Sequence, residues 1–380
     1  MKPGPVLIIN YEYPPVGAGA ATAAFHLAGN LVGKVECVTV LTAAFGTNAG
    51  YSIENGVHVH RVKSPRKRAD RSNMLEMALF VLMAVPKMFH IHRKFRISRS
   101  VVFFSLPCGP LGVLGKLLAG VPYIVSLRGG DVPGTEKKLD RIHRILKPLR
   151  HMVLRNSSHI TAPSLGLKEM SESVDPFPVT TISNGIDCGY FEPGCMKKDN
   201  VFRYLFVGRF QKQKDISELI AAFRILSGKD HRRTELHLVG DGPMMDSVRD
   251  CMTEANLEKR VKFHGWMKKE EVRELLQTCD CFVNPSHYEG MPNAVLEAMA
   301  CAMPVVASDV MGNRDIVYDG ETGLLYTKGD VGMLAEKLEF VLIYPKAALS
   351  LGRNARKYVR QHHSWKAIAL AYCRLLEKTK

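Results

Sequence analysis

A regular alternation of short apolar runs with longer helical patterns constrains the fold of this chain more than any other feature. In the first half the apolar runs are continuous, as is typical of strands buried on both faces of a parallel sheet. They lie at residues 6–9, 35–41, 57–62, 101–106 and 123–127, and a helical pattern begins near residue 20. Strands that alternate with helices predict a parallel sheet covered by helices on both faces.

The same alternation begins again after a polar, weakly patterned stretch at residues 195–200, which we interpret as a linker. The predicted strands of the second half lie at residues 204–207, 236–239, 261–263, 281–283 and 304–306. A chain of 380 residues is long enough for two domains of similar size. We therefore predict an α/β protein of two Rossmann-like domains, residues 1–194 and 195–363, followed by a helix within residues 364–380. Because ligands of such folds bind outside the carboxyl ends of the strands, we expect a site in a central cleft that both domains face.

The positive net charge favours anionic partners but does not show which class of anionic molecule the protein binds. The chain carries 52 Lys and Arg against 37 Asp and Glu, a formal net charge of +15, which favours phosphates, anionic lipid or nucleic acid. The spacings of RRM, KH and zinc-finger modules are missing, and the basic clusters lack interleaved aromatic residues. We therefore expect no nucleic-acid partner.

The cysteines and the apolar runs indicate the cellular compartment in which we expect the protein. The nine cysteines are an odd number, and no CxxC pair accompanies Cys279 and Cys281, which predicts a reduced, intracellular protein without a zinc module. The N-terminus lacks the pattern of a signal peptide. The longest apolar run, residues 77–85, is too short to cross a bilayer. We expect a cytoplasmic protein that is soluble or peripheral to a membrane.

The stretch at residues 284–300 carries the strongest chemical signal, because it follows an apolar strand and precedes a helix predicted to begin near Pro292. Proline is tolerated in a first helical turn, where the amides have no partner within the helix. The free amides of Met291, Asn293 and Ala294, together with the helix dipole, predict an anion site. Gly290 allows the backbone to approach a ligand closely.

Two glutamates bracket this predicted anion site. Glu289 precedes the positive end of the helix and Glu297 lies inside it, so each could hold a sugar hydroxyl beside a bound phosphate. The alternative is that Glu289 only complements the helix dipole and that Glu297 is a solvated helix residue. The residues alone leave both interpretations open.

The stretch from Glu289 to Glu297 resembles the E-x7-E signature of the retaining GT-B glycosyltransferases of family 4, the glycosyl transferases group 1. Other segments of the family's pattern lie in order around it. They are Gly208-Arg209-Phe210 with Lys214, Gly240-Asp241-Gly242-Pro243, Asn184-Gly185-Ile186-Asp187 with Phe191 and Pro193, Ala162-Pro163-Ser164, and residues 304–307. The resemblance covers nearly the whole chain, most closely residues 160–327, and implies that the last helix crosses back to the first domain.

The resemblance implies a site for a nucleoside-diphosphate sugar, the donor, in the second domain. Arg209 and Lys214 would neutralise the diphosphate as it leaves. Glu289 would contact the transferred sugar, and Glu297 would hold the ribose hydroxyls. The amides that follow Glu289 would bind the distal phosphate.

Two further assignments complete the implied donor site. The base would lie near Trp266 and Met267, although Trp266 could instead belong to the core. The loop that holds Gly17 and Gly19 would lie against the donor phosphate and the acceptor. Ala18 stands where relatives often have a second adjacent glycine, which is a small departure from the pattern.

A larger departure occurs at Arg128-Gly129-Gly130-Asp131, where many relatives carry a histidine thought to act at the reacting sugar. Arg128 could bind the donor phosphate or an anionic acceptor. It could equally form a structural ion pair with Asp131. The sequence favours neither alternative.

We predict no metal and no cofactor. The chain has no Asp-x-Asp pair, which the metal-dependent GT-A enzymes use to hold Mg²⁺ or Mn²⁺. His58 with His60, and His90 with His92, have a metal-like spacing, but no nearby Cys or Asp cluster completes either set. Basic side chains and helix amides would take the place of the metal.

Two basic clusters of the first domain predict contact with an anionic membrane, because the second one follows an apolar helix at residues 74–89. The alternative is a solvated loop and a helix packed on the sheet. The clusters are Arg61, Lys63, Arg66, Lys67, Arg68 and Arg71, and then Lys87, Arg93, Lys94, Arg96 and Arg99.

The resemblance thus implies transfer of a hexose-type sugar, with retention at the anomeric carbon, from a nucleoside-diphosphate sugar to an acceptor hydroxyl. We expect a glycan or lipid-linked acceptor at the cytoplasmic face of a membrane. A nucleotide-sugar epimerase or hydrolase would share the donor site without needing an acceptor. A nucleic-acid-binding protein is the alternative of another class, and it rests on the net charge alone.

Overall fold

The fold is described from a computed structural model of the chain, which describes residues 2–17, 19–66, 72–135, 139–194, 200–229 and 233–379. The contacts within the chain divide it into two units. The first unit comprises Met1–Gly185 together with Trp365–Lys380, and the second comprises Ile186–Ser364. Each unit contains a sheet whose strands alternate with helices, and this confirms the predicted fold class of two parallel-sheet α/β domains.

The first unit is built on a sheet that has eight strands within the described ranges. These are β1 (Val6–Ile9), β2 (Val38–Ala43), β3 (Gly50–Glu54), β4 (Val57–Val62), β5 (Arg99–Phe103), β6 (Tyr123–Ser126), β7 (His159–Ala162) and β8 (Thr180–Thr181). Their order across the sheet is β3-β4-β2-β1-β5-β6-β7-β8. β3 pairs with β4 in the antiparallel sense and the other neighbours are parallel.

Helices connect these strands and bury apolar side chains against the sheet. They are α1 (Gly19–Leu31), α2 (Met74–Phe95), α3 (Gly109–Ala119), α4 (Asp140–Asn156) and α5 (Leu165–Val174). Because the chain leaves β1 toward β2 but later crosses to β5, β6 and β7 on the other side, right-handed crossovers place α1 on one face and α2, α3 and α4 on the opposite face.

The second unit has a six-stranded sheet in which all neighbouring strands that the structure describes are parallel. The strands are β9 (Phe202–Val207), β10 (Thr234–Val239), β11 (Val261–Gly265), β12 (Cys281–Asn284), β13 (Val305–Ser308) and β14 (Leu324–Tyr326). Their order is β11-β10-β9-β12-β13-β14. The direction of winding therefore reverses between β9 and β12, which makes this pair the switch point of the sheet.

The helices of the second unit cover both faces of its sheet. They are α6 (Ile216–Ser227), α7 (Met245–Glu254), α8 (Lys269–Thr278), α9 (Asn293–Ala300), α10 (Met311–Arg314), α11 (Val331–Ile343) and α12 (Pro345–His362). The last helix, α13 (Trp365–Lys378), belongs to the first unit and packs against α1. The Tyr372 hydroxyl lies 2.8 Å from the Ser126 hydroxyl, and the Trp365 ring stacks on His26.

Several boundaries differ from those predicted. β5 ends at Phe103 rather than at residue 106, because Phe104 has a φ of 68° and the Ser105 amide donates to the Asp131 carboxylate at 2.6 Å. β2 begins at Val38 rather than at residue 35. Strands β3, β7, β8 and β14 were not predicted, since they are short or partly exposed and carry no long apolar run.

The division between the units lies before the predicted boundary at residue 194. Residues 186–194 belong to the second unit, where Phe191 is buried in the core and the Ile186 amide donates to the His363 carbonyl at 2.6 Å. Residues 195–199 of the predicted linker lie outside the described residues.

Helix α2 is longer than the apolar run suggested. By length and composition alone it could cross a membrane. Phe80, Ala84, Met88 and Ile91 are nevertheless buried on one of its faces, and the helix packs on α3 and the sheet. This burial is what a helix that covers a parallel sheet shows.

Candidate functional site

Two loops meet at the switch point of the second sheet. Because β9 and β12 are neighbours, the segments after their carboxyl ends lie side by side, and these segments contain Lys214 and Glu289. The structure joins the two side chains, with the Lys214 ammonium donating a short hydrogen bond to Glu289 Oε1. Two residues 75 positions apart in sequence thus form one ion pair.

Three donors converge on a single oxygen of Glu289. The Ser286 hydroxyl donates to Oε1 at 2.6 Å and the Asn284 amide reaches it at 3.3 Å, in addition to the Lys214 ammonium. No described residue donates to the other oxygen, Oε2. The carboxylate is therefore fixed through one oxygen, and the second can accept from a ligand.

A further layer of polar side chains fixes this arrangement. Asn313, in α10, accepts from the Asn284 amide at 2.9 Å and donates to the Ser308 carbonyl at 2.8 Å. A Cβ at Gly312 would lie 2.6 Å from the Glu289 carbonyl oxygen, so only glycine lets α10 approach this closely. The sequence analysis predicted Glu289 and Lys214 but did not identify Asn284, Ser286 or Asn313 as parts of this arrangement.

The loop that contains Lys214 is hydrogen-bonded to the loop that precedes α9. Lys214 ends a single 3₁₀ turn, and Asp215 follows with a φ of 35° and caps α6 by accepting from the Glu218 amide at 3.3 Å. Gln213 donates to the Tyr288 carbonyl at 2.7 Å and accepts from the His287 amide at 2.7 Å. These bonds fix the distance between the cation and the carboxylate.

Arg209 is presented differently from Lys214. It follows β9 by two residues and is exposed, and no described residue accepts a hydrogen bond from its guanidinium. Its loop is held by close backbone packing, because a Cβ at Gly240 would lie 1.9 Å from the Gly208 carbonyl oxygen. The Phe210 amide also donates to the Asp241 carbonyl at 2.9 Å.

Helix α9 begins one residue later than predicted, at Asn293, with Pro292 as its first cap residue. The amides of Val295 and Leu296 both bond to the Pro292 carbonyl. Within the described ranges no carbonyl or side chain accepts from the amides of Met291, Asn293 and Ala294, as the sequence predicted.

Gly290 is exposed, and an added Cβ would meet no protein atom within 4 Å. Packing inside the protein therefore does not require a glycine at this position.

Glu297 is the fifth residue of α9 and is half-buried. Burial raises the pKa of its carboxyl to about 7, and the nearby Lys269 ammonium only partly offsets this effect. A carboxyl whose pKa is shifted by burial is a candidate functional group. The Lys269 ammonium also lies 4.9 Å from the centre of the Tyr190 ring.

The predicted base contacts lie directly after β11. Trp266 is 76% exposed, so the alternative that it belongs to the core is wrong. Met267 is half-buried and packs on the hydrophobic core of the second unit. An exposed indole at the carboxyl edge of a parallel sheet offers a flat surface on which a ring can stack.

In the first unit, Gly17 packs on a buried carboxylate that the sequence did not reveal. Gly17 has a φ of 92°, and a Cβ there would lie 2.8 Å from Glu12 Oε2. Arg66 pairs with Glu12 at 3.5 Å, and both residues are buried. Gly19 begins α1 and has open space around it. Ala18 lies outside the described residues.

Arg128 has protein partners for its guanidinium. It donates to the Asn184 side-chain oxygen at 2.7 Å and to the Ser126 hydroxyl at 2.9 Å, and it lies 4.2 Å from the centre of the Phe103 ring. Burial lowers its pKa. Asp131 accepts from the Arg128 backbone amide at 2.9 Å rather than from its guanidinium. The Arg128 guanidinium is therefore held by residues outside its own loop, whereas Asp131 holds the loop through the Arg128 amide.

A buried arginine that the sequence analysis missed also holds the loop that contains Asp131. Arg150, in α4, is 1% exposed, pairs with Asp175 at 2.5 Å and donates to the Asp131 carbonyl at 2.7 Å. The basic periodicity of α4 gives no sign that this one cation points inward. Its partner could not be foreseen because Asp175 lies beyond α5.

Two members of the first basic cluster, Arg61 and Arg66, are paired within the protein and are not available to a membrane surface. Arg61 pairs with Glu54 and donates to the Pro14 carbonyl at 3.0 Å, and Arg66 is buried against Glu12. The second cluster does expose Arg93, Lys94 and Arg96, whereas Lys67, Arg68 and Arg71 lie outside the described residues.

The histidines whose spacing resembles that of metal ligands have other surroundings in the structure. The Tyr51 hydroxyl lies 2.7 Å from His58 Nδ1, and its ring stacks on His60. Burial lowers the pKa of His60 and of His92 to about 4. In the part of the chain that the structure describes, no group of three or more His, Cys, Asp or Glu could hold a metal ion.

Comparison with known proteins matches both units to families of transferases. Residues 196–358 match the model described as glycosyl transferases group 1, and residues 18–185 match the glycosyl transferase 4-like domain. Glycogen synthase from Mycobacterium tuberculosis is 30% identical over 223 residues, which are 58% of this chain and 54% of the relative. The match thus spans about half the length of that relative.

Two further comparisons give another similar relative and a solved structure of similar fold. The Escherichia coli UDP-Gal:alpha-D-GlcNAc-diphosphoundecaprenol alpha-1,3-galactosyltransferase is 30% identical over 245 residues, 60% of this chain and 62% of that relative. The crystal structure of Anabaena HepE in complex with UDP has a TM-score of 0.74 at 19% identity and covers 100% of both chains. Together with the two matched models, these similarities show that the chain belongs to the group 1, GT4-like family of GT-B glycosyltransferases.

Proposed function

We propose that this protein transfers a hexose-type sugar from a nucleoside-diphosphate sugar to the hydroxyl of a glycan or lipid-linked acceptor, with retention of anomeric configuration. One observation carries the proposal. Glu289 is fixed through Oε1 by three donors at the switch point of the second sheet, and its Oε2 remains to accept from a sugar hydroxyl. A carboxylate that keeps one oxygen without a described protein donor suits the recognition of a neutral polyol.

The diphosphate would lie beside the transferred sugar. Lys214 uses one of its three N–H donors on Glu289, which leaves the others for phosphate oxygens. Arg209 and the amides at the start of α9 supply further donors with no protein acceptor in the described structure. These groups would stabilise the charge that develops on the leaving diphosphate, where fixed donors lower a barrier most.

We assign the nucleoside to Glu297 and to the segment after β11. The carboxyl of Glu297 has its pKa raised to about 7, so a hydrogen-bonded ribose would relieve the desolvation of the charged form. Trp266 would stack on the base and Met267 would line it. HepE binds UDP and the E. coli relative is named for UDP-galactose, which supports a uridine donor as the first to test.

Retention at the anomeric carbon follows in the proposal from attack and departure on the same face of the sugar. Neither glutamate is set as a covalent nucleophile, because Glu289 is engaged by a cation and Glu297 lies within α9. The acceptor class rests on the E. coli relative, whose name gives a diphosphoundecaprenol-linked sugar as its acceptor.

We further propose a metal-independent reaction on the cytoplasmic side of a membrane. Lys214 and Arg209 supply the positive charge that a divalent ion would otherwise bring to the diphosphate. The eight described cysteines are free, and Cys108, Cys279, Cys281, Cys301 and Cys373 are buried. Reduced, buried thiols are common in the cytosol, where disulfides are rare.

The test is a transfer assay with UDP-, GDP- and ADP-linked hexoses, with and without glycan or polyprenyl-diphosphate-sugar acceptors. We expect release of nucleoside diphosphate that depends on acceptor, product with the donor's anomeric configuration by NMR, and full activity in EDTA. Equal turnover without acceptor would indicate a hydrolase, and an isomerised donor sugar would indicate an epimerase. Activity lost in EDTA and restored only by a divalent ion would contradict metal independence.

A further inference from the structure

Helix α2 exposes a continuous apolar stripe directly opposite its buried face. Leu75 is 69% exposed and Leu82 is 68% exposed, and Ala78 and Pro86 lie on the same side of the helix. The helix ends in the exposed cations Arg93, Lys94 and Arg96. An apolar stripe of this length is costly to leave in water, which indicates that something covers it.

Helix α4 has a matching outward face with a different composition. Ile145 is 76% exposed and Met152 is 41% exposed, and Arg141, Arg144 and Arg155 are exposed beside them. These positions recur at intervals of three and four residues and therefore share one side of the helix. Arginine side chains interleaved with large apolar ones are typical of helices that lie in the interface of a bilayer.

The two stripes belong to one surface. α3 packs against both α2 and α4, and all three helices cover the same face of the first sheet. At the end of α3, Leu117 and Leu118 are 67% and 68% exposed. We name the outward side of these three helices the helical face.

The charge of the helical face has one sign. Of the two carboxylates on its helices, Glu76 is buried and closes the N-terminal cap of α2 by accepting from Asn73 at 3.1 Å. Asp140 lies at the first residue of α4 and accepts from the Gly134 amide at 3.3 Å. In the described part of α2, α3 and α4, neither carboxylate lies within the exposed apolar stripes.

We propose that the helical face binds the surface of an anionic bilayer, with the leucines and Ile145 among the acyl chains and the arginines at the lipid phosphates. Charge complementarity selects this occupant, since a second copy of the chain would bring the same positive charge to the contact. The proposal goes beyond sugar transfer, because it uses none of the residues assigned to the donor.

The test measures binding of the full chain to vesicles of phosphatidylcholine alone and of phosphatidylcholine with about one third phosphatidylglycerol. We expect binding to the anionic vesicles only, weakening as salt rises. Each arginine near such a surface strengthens binding roughly fivefold, so Arg141→Glu with Arg144→Glu should weaken it by more than about 20-fold. Leu75→Ser with Leu82→Ser should weaken binding by roughly 10-fold or more.

Matched controls come from the second unit. Leu349 is 50% exposed and Arg353 is exposed, both on α12, and Leu349→Ser with Arg353→Glu should bind vesicles as the wild type does. Arg141→Lys with Arg144→Lys should retain binding, which shows that any loss is one of charge. Thermal melting identifies a variant that fails to fold.

Three outcomes would overturn the proposal. They are equal binding to both kinds of vesicle, equal loss in the α12 control, and self-association through the helical face, seen as a doubled mass that the leucine substitutions abolish. Transfer to a short, water-soluble acceptor should remain unchanged in the arginine and leucine variants. The membrane proposal and the transferase proposal can therefore fail separately.

Discussion

The carboxyl edges of the two sheets use their charged groups in opposite ways. In the second unit Arg209 is exposed without a described acceptor, and Lys214 contacts a carboxylate that keeps one oxygen without a described donor. In the first unit Arg66, Arg128 and Arg150 are each held by carboxylates, amides or hydroxyls of the same unit. The same topology thus yields one edge prepared for an anion and one edge whose cations stabilise the fold.

The largest effect we expect is on catalysis, at the edge prepared for the ligand. Glu289→Ala should lower kcat by about 10³-fold or more, because the sugar loses an acceptor that is fixed before the ligand arrives. The variant should remain folded, with a lower melting temperature because Lys214, Asn284 and Ser286 lose their acceptor. Glu321→Ala, at an exposed glutamate of the same unit, is the control and should keep full activity. Retained transfer by Glu289→Ala, measured as acceptor-dependent diphosphate release, would remove Glu289 from its assigned role.

Arg150→Met should give the largest loss of stability. The substitution leaves Asp175 with only His151, at 2.7 Å, and frees the carbonyl of Asp131. Breaking a buried ion pair on one side typically lowers the free energy of unfolding by about 3–5 kcal/mol. Urea denaturation measures this change, and a loss below that of an exposed control, Arg353→Met, would show that Arg150 is not a structural cation.

Arg128→Met separates the two alternatives that the sequence left open. If Arg128 is structural, the free energy of unfolding should fall by about 1–3 kcal/mol, because Asn184 and Ser126 lose their donor. Diphosphate affinity should remain within a factor of about three. A tenfold loss of affinity without a loss of stability would instead make Arg128 a ligand contact.

Glu297→Gln should have the smallest effect at pH 5, where the wild-type carboxyl is protonated and resembles the neutral amide, and the effect should grow as pH rises. The folded protein holds the pKa of Glu297 near 7, above the ordinary value of 4.5, so the wild type loses stability as pH rises through this window. The glutamine variant lacks this titration. Its stability relative to the wild type should rise between pH 5 and pH 7 and level off above pH 7, where the wild-type carboxyl is ionised in both the folded and the unfolded state. Denaturation curves at several pH values would show a constant difference if the carboxyl titrates normally.

The sequence predicted more of the carboxyl edge of the second unit's sheet than of the first unit's sheet, and the reason is physical. Glu289, Gly290 and the α9 amides are consecutive, so a local strand-to-helix turn was enough to place them. Lys214 was implied only by family resemblance, and the pairing of β9 with β12 brought it to Glu289. Asn284 and Ser286 could have been found as polar residues that end an apolar strand.

The first edge could not be predicted in the same way, because its contacts join distant segments. Arg150 lies in α4 and Asp175 lies just beyond α5, and Glu12 is recognisable as buried only once Arg66 is placed beside it. A basic residue in a sequence does not reveal whether it points inward or outward. The cation count predicted a positively charged surface but placed it partly on residues that are paired inside the fold.

Calorimetric titration of UDP, GDP and ADP into the wild type and into Arg209→Met tests the contrast between the edges most directly. We predict that one diphosphate binds the wild type and that Arg209→Met weakens it by about 10- to 100-fold at unchanged stability, since a charge-assisted contact contributes roughly 1.5–3 kcal/mol. Binding that is equal in the two proteins, or absent for all three diphosphates, would contradict the account.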